Sequence, residues 1–381
     1  MGNQTTTQNS PQRESKQSQQ LSKHFQTLKE LPIPLFQAQC VLHKHELLIC
    51  GGYQQRSCYS YHTLKNEYKF ICEYPSHVEL CGHCIVQLVN NNNKGSNQIT
   101  LLSFGSDYYG ENKHTLVMKY LSVWSDANNE NEMNNSKELN ELNKLNNYNQ
   151  WIPLTDNNNH PIIIGGDNDK YEGVRALIGG INNHLLFLTY LENNISVFDL
   201  NTFQFIKHDI LPTENLIWYH CFVSNSENGQ GQEMMKTNKQ NYQMLLFCFK
   251  AGLSIEYDED NNIFQFHQLP VCDDIAPFYR YAHVYINDII LFFGGSKFNI
   301  VSKLVHKYSI RENKWITFED TLPNPLKDCV AILSDEDSLI HIIGGRDNKK
   351  AILSTLMKTN VRVWDHSQLV IFYFFILMKH K

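Results

Sequence analysis

The stretch ILFFGGSKFNIVSKLVHKYSIRENKW, residues 290–315, decides the fold. Its apolar run from Ile290 to Phe293 ends in the pair Gly294-Gly295, and further on Tyr308 and Trp315 enclose the six residues SIRENK. A short apolar run closed by glycines reads as a buried strand that stops where the backbone turns or meets a close neighbour. Two aromatics on either side of a polar turn read as a hairpin, each of its strands contributing one ring. Upstream, Tyr281–Tyr285 is another short apolar strand. The unit therefore has four strands, a to d. Strand b ends at the glycines, c ends near Tyr308 and d begins near Trp315.

The same unit recurs along the chain. Strand b returns as LLICGG (47–52), ending in Gly51 and Gly52, and as HIIGG (341–345), ending in Gly344 and Gly345. LLSFGS (101–106), around Gly105, is a weaker copy, while LLFLTY (185–190) and LLFCFK (245–250) match in position without the glycines. The aromatic spacing repeats in Tyr61 with Tyr68, Phe198 with Phe205, and Tyr257 with Phe264. In the second unit Tyr120 opens the pair and an Asn-rich insertion at about 126–150 delays the closing ring to Trp151; in the sixth, Trp364 opens it. The remaining a strands are expected at Gln39–Leu42, His83–Val86, Val174–Ile178, His220–Val223 and Asp328–Leu333. The chain is all-β, and repetition rather than any single motif establishes it.

Four-stranded units with a glycine pair and then two spaced aromatics resemble the kelch repeat of galactose-oxidase-like β-propellers. The resemblance covers about residues 24–366 and implies a six-bladed kelch-type propeller of four-stranded antiparallel blades around a central channel. In such a ring both rings of each aromatic pair are expected to be buried between adjacent blades. A WD-repeat propeller fits less well, since Trp364-Asp365 occurs without a Gly-His partner upstream. The segment from His24 to Pro32 reads as a d strand with the Leu-Pro exit also found at Leu211-Pro212, Leu269-Pro270 and Leu322-Pro323. The sixth unit has no d strand of its own, so the N-terminal strand is expected to complete it. The layout is a polar tail (1–22), a propeller (23–368) and a short apolar tail (369–381) outside the ring.

Composition agrees with one large domain. Of 381 residues 42% are hydrophobic and 19% charged, with net charge -6, which argues against a nucleic-acid surface. Collagen, coiled coil and polytopic membrane proteins are excluded. Ten cysteines follow a polar N-terminus with no apolar leader, so they read as reduced thiols in the cytoplasm. Met1-Gly2-Asn3-Gln4-Thr5-Thr6 matches the N-myristoylation pattern with Gly2 as acceptor, and it equally reads as a polar tail whose second residue is glycine. Membrane contact is expected only through that lipid, because the apolar run LVIFYFFILM (369–378) would form a helix of about 15 Å, half a bilayer core. Within the insertion, KELNELNKLNN (137–147) spaces its leucines by three and reads as disorder or a frayed helix.

Catalytic motifs are scarce. Cys81-Gly82-His83-Cys84 has the letters of a disulfide-isomerase site, but a β-branched strand follows where a helix would be needed to lower the first thiol's pKa. No second Cys pair supports zinc. His220 and His283 fall in a strands that could line the channel, with satisfied core histidines as the simpler reading. Gly165-Gly166-Asp167-Asn168-Asp169 reads as a loop rather than a calcium site. Copper radical oxidases of this general shape carry a tyrosine–cysteine pair and histidine ligands, which the sequence does not reproduce. The expectation is a non-catalytic module without a cofactor, a monomeric propeller that binds another protein or peptide. The alternative is a propeller enzyme of oxidase, lyase or isomerase type with its site in the channel.

The resemblance implies docking on the b-to-c and d-to-a loops at the channel mouth. In this chain those loops hold Tyr53, Arg56, Tyr108, Tyr109, Lys297 and Arg346, and then Trp218, Tyr219, Tyr279 and Arg280. Tyr, Trp and Arg dominate binding hot spots.

Overall fold

The computed structural model describes residues 24–89, 98–124, 147–224, 241–334 and 338–365. Both tails, most of the Asn-rich insertion and its leucine-spaced segment lie outside the described residues. No helix among the described residues is long and apolar enough to cross a membrane.

The six units form six four-stranded antiparallel sheets, the blades of a β-propeller. After β1 (Gln26–Thr27), blade 1 is β2 (Gln39–His43), β3 (Glu46–Gly52), β4 (Gln55–His62) and β5 (Glu67–Glu73). Blade 2 is β6 (Cys84–Leu88), β7 (Gln98–Gly105), β8 (His114–Leu121) and β9 (Ile152–Pro153). Blade 3 is β10 (Arg175–Gly179), β11 (Leu185–Tyr190), β12 (Asn194–Asp199) and β13 (Gln204–Ile210). Blade 4 is β14 (Cys221–Ser224), β15 (Asn241–Cys248), β16 (Ala251–Asp258) and β17 (Ile263–Gln268). Blade 5 is β18 (Ala282–Ile286), β19 (Ile289–Phe293), β22 (Val305–Ser309) and β23 (Lys314–Thr317), with the small hairpin β20 (Ser296–Lys297) and β21 (Ile300–Val301) between its middle strands. Blade 6 is β24 (Val330–Ser334), β25 (Leu339–Ile343), β26 (Leu356–Asn360) and, as expected, β1, with Gln26 opposite Lys358 and Thr27 opposite Met357.

Each blade is apolar on both faces, so its core lies between blades. Six apolar clusters fill the six interfaces: Leu48, Leu101 and Met118 join blades 1 and 2, and Leu291, Ile340 and Trp364 join blades 5 and 6. Large buried side chains there are the main stabilisation, roughly 1.5–3 kcal/mol each.

The aromatic pairs sit directly opposite one another on strands c and d. Ring centroids are 4.9 Å apart for Tyr61 with Tyr68 and for Tyr257 with Phe264, 5.0 Å for Tyr308 with Trp315, and 5.1 Å for Phe198 with Phe205. In three pairs an asparagine in the turn completes the device. Tyr61, Tyr257 and Tyr308 donate their hydroxyls to Asn66, Asn262 and Asn313 at 2.8, 2.9 and 2.6 Å. Each Asn has a left-handed backbone, which asparagine tolerates better than most residues.

Several assignments made from spacing are corrected. The rings on strand d are not all buried between blades. Phe264 is, packed between Tyr257 and Phe266 of its own strand in the core shared by blades 3 and 4. Phe205 is only half-buried: it covers the edge of the cluster between blades 2 and 3 and packs on His208, 4.8 Å away. Its pair also lacks the hydroxyl device, since Phe198 has no donor and left-handed Phe203 stands where the asparagine would be. Tyr68 and Trp315 are half-buried like Phe205, and their polar ends donate to the carbonyls of Lys29 (3.0 Å) and Pro270 (2.7 Å).

Trp364 does not open the sixth pair: it lies in the single helical turn α1 (Val361–Trp364), and Thr359 occupies the place of Tyr308. The roles are exchanged, with Trp364 Nε1 donating to Thr359 Oγ1 at 3.0 Å from the position asparagine holds elsewhere. Nor does Trp151 pair with Tyr120. The insertion returns the chain opposite Val117 and Leu116, so Trp151 stacks on Tyr74 (4.8 Å, 18°). Tyr120 instead donates to the buried carboxylate of Glu46 in blade 1.

The glycine pairs are joints between blades. Gly294 and Gly344 have left-handed backbones, and the amides of the glycines after them donate to the carbonyls of Leu326 (2.8 Å) and Leu35 (2.7 Å), in the connections leading to the next blades. A Cβ on Gly344 would lie 2.4 Å from the Leu35 carbonyl oxygen. Gly344→Ala should therefore cost roughly 2–4 kcal/mol in denaturant unfolding, combining left-handed strain with forced displacement. Gly166→Ala, where the nearest atom is 3.5 Å away, should cost little. Equal losses in the two variants would remove the joint from the account.

Candidate site at the channel mouth

Strand a descends from the d-to-a connection, so the connections and the b-to-c loops share one face of the ring. Two residues before each inner strand the chain turns through a left-handed residue: Gln37, Gly82, Gly173, Tyr219, Arg280 and Asp328, with φ from 48 to 70°. They form a ring at the mouth, part of it closed by backbone hydrogen bonds from Gln37 N to Asp328 O (2.9 Å), Asp328 N to Arg280 O (2.9 Å) and Tyr219 N to Gly173 O (3.1 Å). Four of the six are not glycine, a strained choice that points to use of their side chains. The two glycines have a steric cause. A Cβ on Gly82 would lie 2.6 Å from the Tyr219 ring, and one on Gly173 2.7 Å from the Tyr219 amide. This explains Cys81-Gly82-His83-Cys84 as a mouth turn leading into β6. Burial pushes both thiols up to about 11, the opposite of a reactive pair.

Around Tyr219 the polar groups satisfy one another. Arg280 pairs with Asp328 at 3.2 Å and Glu172 at 3.6 Å, and Tyr219 donates its hydroxyl to Glu172 at 3.1 Å. The Arg280 guanidinium also lies 4.1 Å from the Tyr219 ring centroid and 5.4 Å from those of Trp218 and Tyr279, which stack on each other (5.7 Å, 3°). Burial alone would pull the Arg280 pKa down; Asp328, the two phenols and Glu172 hold it above its usual value. Burial raises the Glu172 carboxyl, opposed by Arg280 and Tyr219. Beside this network is a small pocket, open to solvent, where Gln37, Arg175, Tyr219, Arg280 and Asp328 meet.

The expected docking residues divide into three groups. Tyr219 is buried, and Trp218, Tyr279 and Arg280 belong to the packed network just described. Tyr53 packs on Phe36 (5.1 Å), with Arg346 4.8 Å from that ring, while Arg56 is held by the Tyr74 carbonyl (3.2 Å) and Glu73 (3.5 Å). Lys297 is half-buried in β20. Tyr108 and Tyr109 stand out in solvent, exposed by 58% and 75% and packed edge-on against each other. The paired aromatics of the repeat, Phe205 and Phe264 among them, lie on strands c and d beside the c-to-d turns, away from this face, and take no part in it. Sequence reading passed over other exposed apolar groups on the mouth face: Phe298 (87%), Ile300, Ile352 and Leu216. The signal for Phe298 was its place between Lys297 and Asn299, polar residues in a turn that left the ring nowhere to be buried.

Other candidates resolve as structure. His220 is buried and shares a 2.6 Å hydrogen bond with Thr189, and burial pushes His283 down to about 3. His114 contacts Ser103 (3.4 Å), which bonds Tyr74 (3.0 Å), between blades 1 and 2. In the Gly165–Asp169 loop, Asp169 accepts from the Gly166 amide at 2.7 Å, a local turn. Among the described residues no three His, Cys, Asp or Glu are placed to hold a metal, and the ten cysteines are free.

Arg280→Met should destabilise by about 3–5 kcal/mol, since it leaves Asp328 and Glu172 buried without a cation; adding Asp328→Asn and Glu172→Gln should recover most of the loss. No recovery in the triple variant would contradict the charge account. Burial and the nearby His77 lower His114 to about 4 in the folded state, against 6.5 for the ordinary group. The unfolded chain thus binds the extra proton, so stability is complete above pH 6.5 and falls as the pH drops toward 4. Denaturant unfolding from pH 7.5 to 4 should show this fall, and His114→Gln should remove on the order of 3 kcal/mol of it. A parallel pH profile in the variant would contradict the assignment.

Among solved structures, that of YjhT is similar to this chain, with a TM-score of 0.56 at 12% sequence identity over 86% of this chain and 95% of that one. At this identity the likeness shows the fold, a β-propeller. No protein-family model and no curated protein matches the chain.

Proposed function

We propose that the propeller is a non-catalytic binding module for another protein or peptide, seated on the channel-mouth face. The observation that carries this reading is the contrast within that face. Its polar centre is engaged with itself, through Arg280, Asp328, Glu172 and Tyr219, while the surrounding loops hold Tyr108, Tyr109, Leu216, Phe298, Ile300 and Ile352 out in water. A rim of exposed apolar and aromatic groups on a rigid scaffold is the composition of a protein-binding surface. The glycine joints and paired aromatics support reading the units as degenerate kelch repeats. The free thiols Cys50 and Cys58, opposite each other on adjacent strands, fit a reducing cytoplasm.

Affinity capture from the native cell should be compared between the unmodified protein and a variant with Tyr108→Ser, Tyr109→Ser and Phe298→Ser. A control variant with Ile263→Ser and Ile316→Ser alters exposed apolar residues of the outer strands. Partners lost from the first variant and kept by the second are the expected result. Retention of the same partners by both would reject the mouth face.

A further inference from the structure

Arg175 opens β10 and projects at the channel mouth without a counter-ion. Its guanidinium makes one hydrogen bond, to the carbonyl of its neighbour Val174 at 2.8 Å, and no carboxylate lies within ion-pair distance among the described residues. A guanidinium has five N–H donors and cannot shed its charge, so a half-buried one is normally paired. Arg280, by contrast, has two carboxylates. Cation–π contact does not compensate Arg175, whose guanidinium stands 5.9 Å from the Tyr219 centroid against 4.1 Å for Arg280. A second group at the same pocket is also unsatisfied. Gln37 is only 7% exposed, and its Oε1 has no protein partner. Nor does Nε of Arg280, which lines the same space.

The geometry points to a carboxylate-binding site in the mouth pocket, with Arg175 as the cation and the Gln37 side-chain amide as a second donor. The planar fork of arginine matches the two oxygens of a carboxylate. The Gln37 amide nitrogen makes no hydrogen bond among the described residues and is not enclosed as its Oε1 is, so it can donate to the same oxygens. One negative charge suits the surroundings better than two. Asp328 and Glu172 together already offset the charge of the two guanidiniums, so one added negative charge is met by the unused donors of Arg175, and the second charge of a phosphate would face Asp328 in the same pocket uncompensated. The pocket is small and open to solvent, so a carboxylate group can enter it from a small organic acid or from the end of a docked polypeptide. Capture of the free acid does not depend on the docking reading above, so the two can fail separately.

The test is calorimetric titration and thermal unfolding of the full chain with sodium acetate, sodium phosphate or sodium chloride at constant ionic strength. Two further arms use a short peptide with a free C-terminal carboxylate and the same peptide as its amide. Acetate should bind and raise Tm above the chloride value, and Arg175→Gln should abolish both effects while leaving Tm in chloride unchanged or higher, because an unpaired, half-buried cation has been removed. Binding of the free-acid peptide but not its amide, lost in Arg175→Gln, would assign the carboxylate to a polypeptide. Phosphate outperforming acetate would overturn the single-charge assignment. Absence of any Arg175-dependent binding, or acetate binding that persists in Arg175→Gln, would overturn the site.

Discussion

A joint between neighbouring blades sets how blades 5, 6 and 1 follow one another. At the end of strand b a left-handed glycine turns the next amide toward the carbonyl of an apolar residue in the connection that leads to the following blade, as Gly295 does with Leu326 and Gly345 with Leu35. Two residues beyond that carbonyl lies the left-handed residue of the mouth, Asp328 in one case and Gln37 in the other. Stacking thus fixes more than the cores between blades. Each blade places one left-handed residue at the mouth, four of the six bearing side chains, with β1 completing blade 6 so that the series closes on itself.

From that constraint the character of the mouth follows. Tyr219 lies across the ring and leaves no room for side chains at Gly82 and Gly173. The remaining positions carry Gln37, Arg280 and Asp328, and the charges of the last two sit close enough to pair instead of meeting water separately. A buried charge network of this sort is costly to desolvate and adds little net stability. Its effect is to hold a polar floor in fixed geometry, with Arg175 beside it and a rim of exposed rings around it.

Much of the fold was legible because repetition multiplies weak signals. Gly294-Gly295 with Tyr308 and Trp315 defined a unit that the other five could be measured against, and the Leu-Pro exit after Leu31 revealed the strand that closes the ring. Register misled where the chain departed from that unit. The insertion moved Trp151 away from Tyr120, and blade 6 reversed the usual donor and acceptor, so Trp364 was placed one turn too early. Spacing located both Phe205 and Phe264 opposite their partners, yet it could not tell that the outer strand buries Phe264 and leaves Phe205 half in water. The asparagines at 66, 262 and 313 were visible as letters, but their role depends on a left-handed turn that spacing does not announce. At the mouth, residue type alone could not separate Arg280, engaged by two carboxylates, from Arg175, which has none. That difference arises only when connections distant in sequence converge.

The measurement that reaches the central claim most directly is hydrogen exchange of the propeller with and without a captured partner. Slowed exchange in the b-to-c loops at 106–113, 296–301 and 346–355 and in the connection at 212–219 is the predicted footprint. Protection confined to the c-to-d turns on the opposite face, around 63–66 and 310–313, would contradict it.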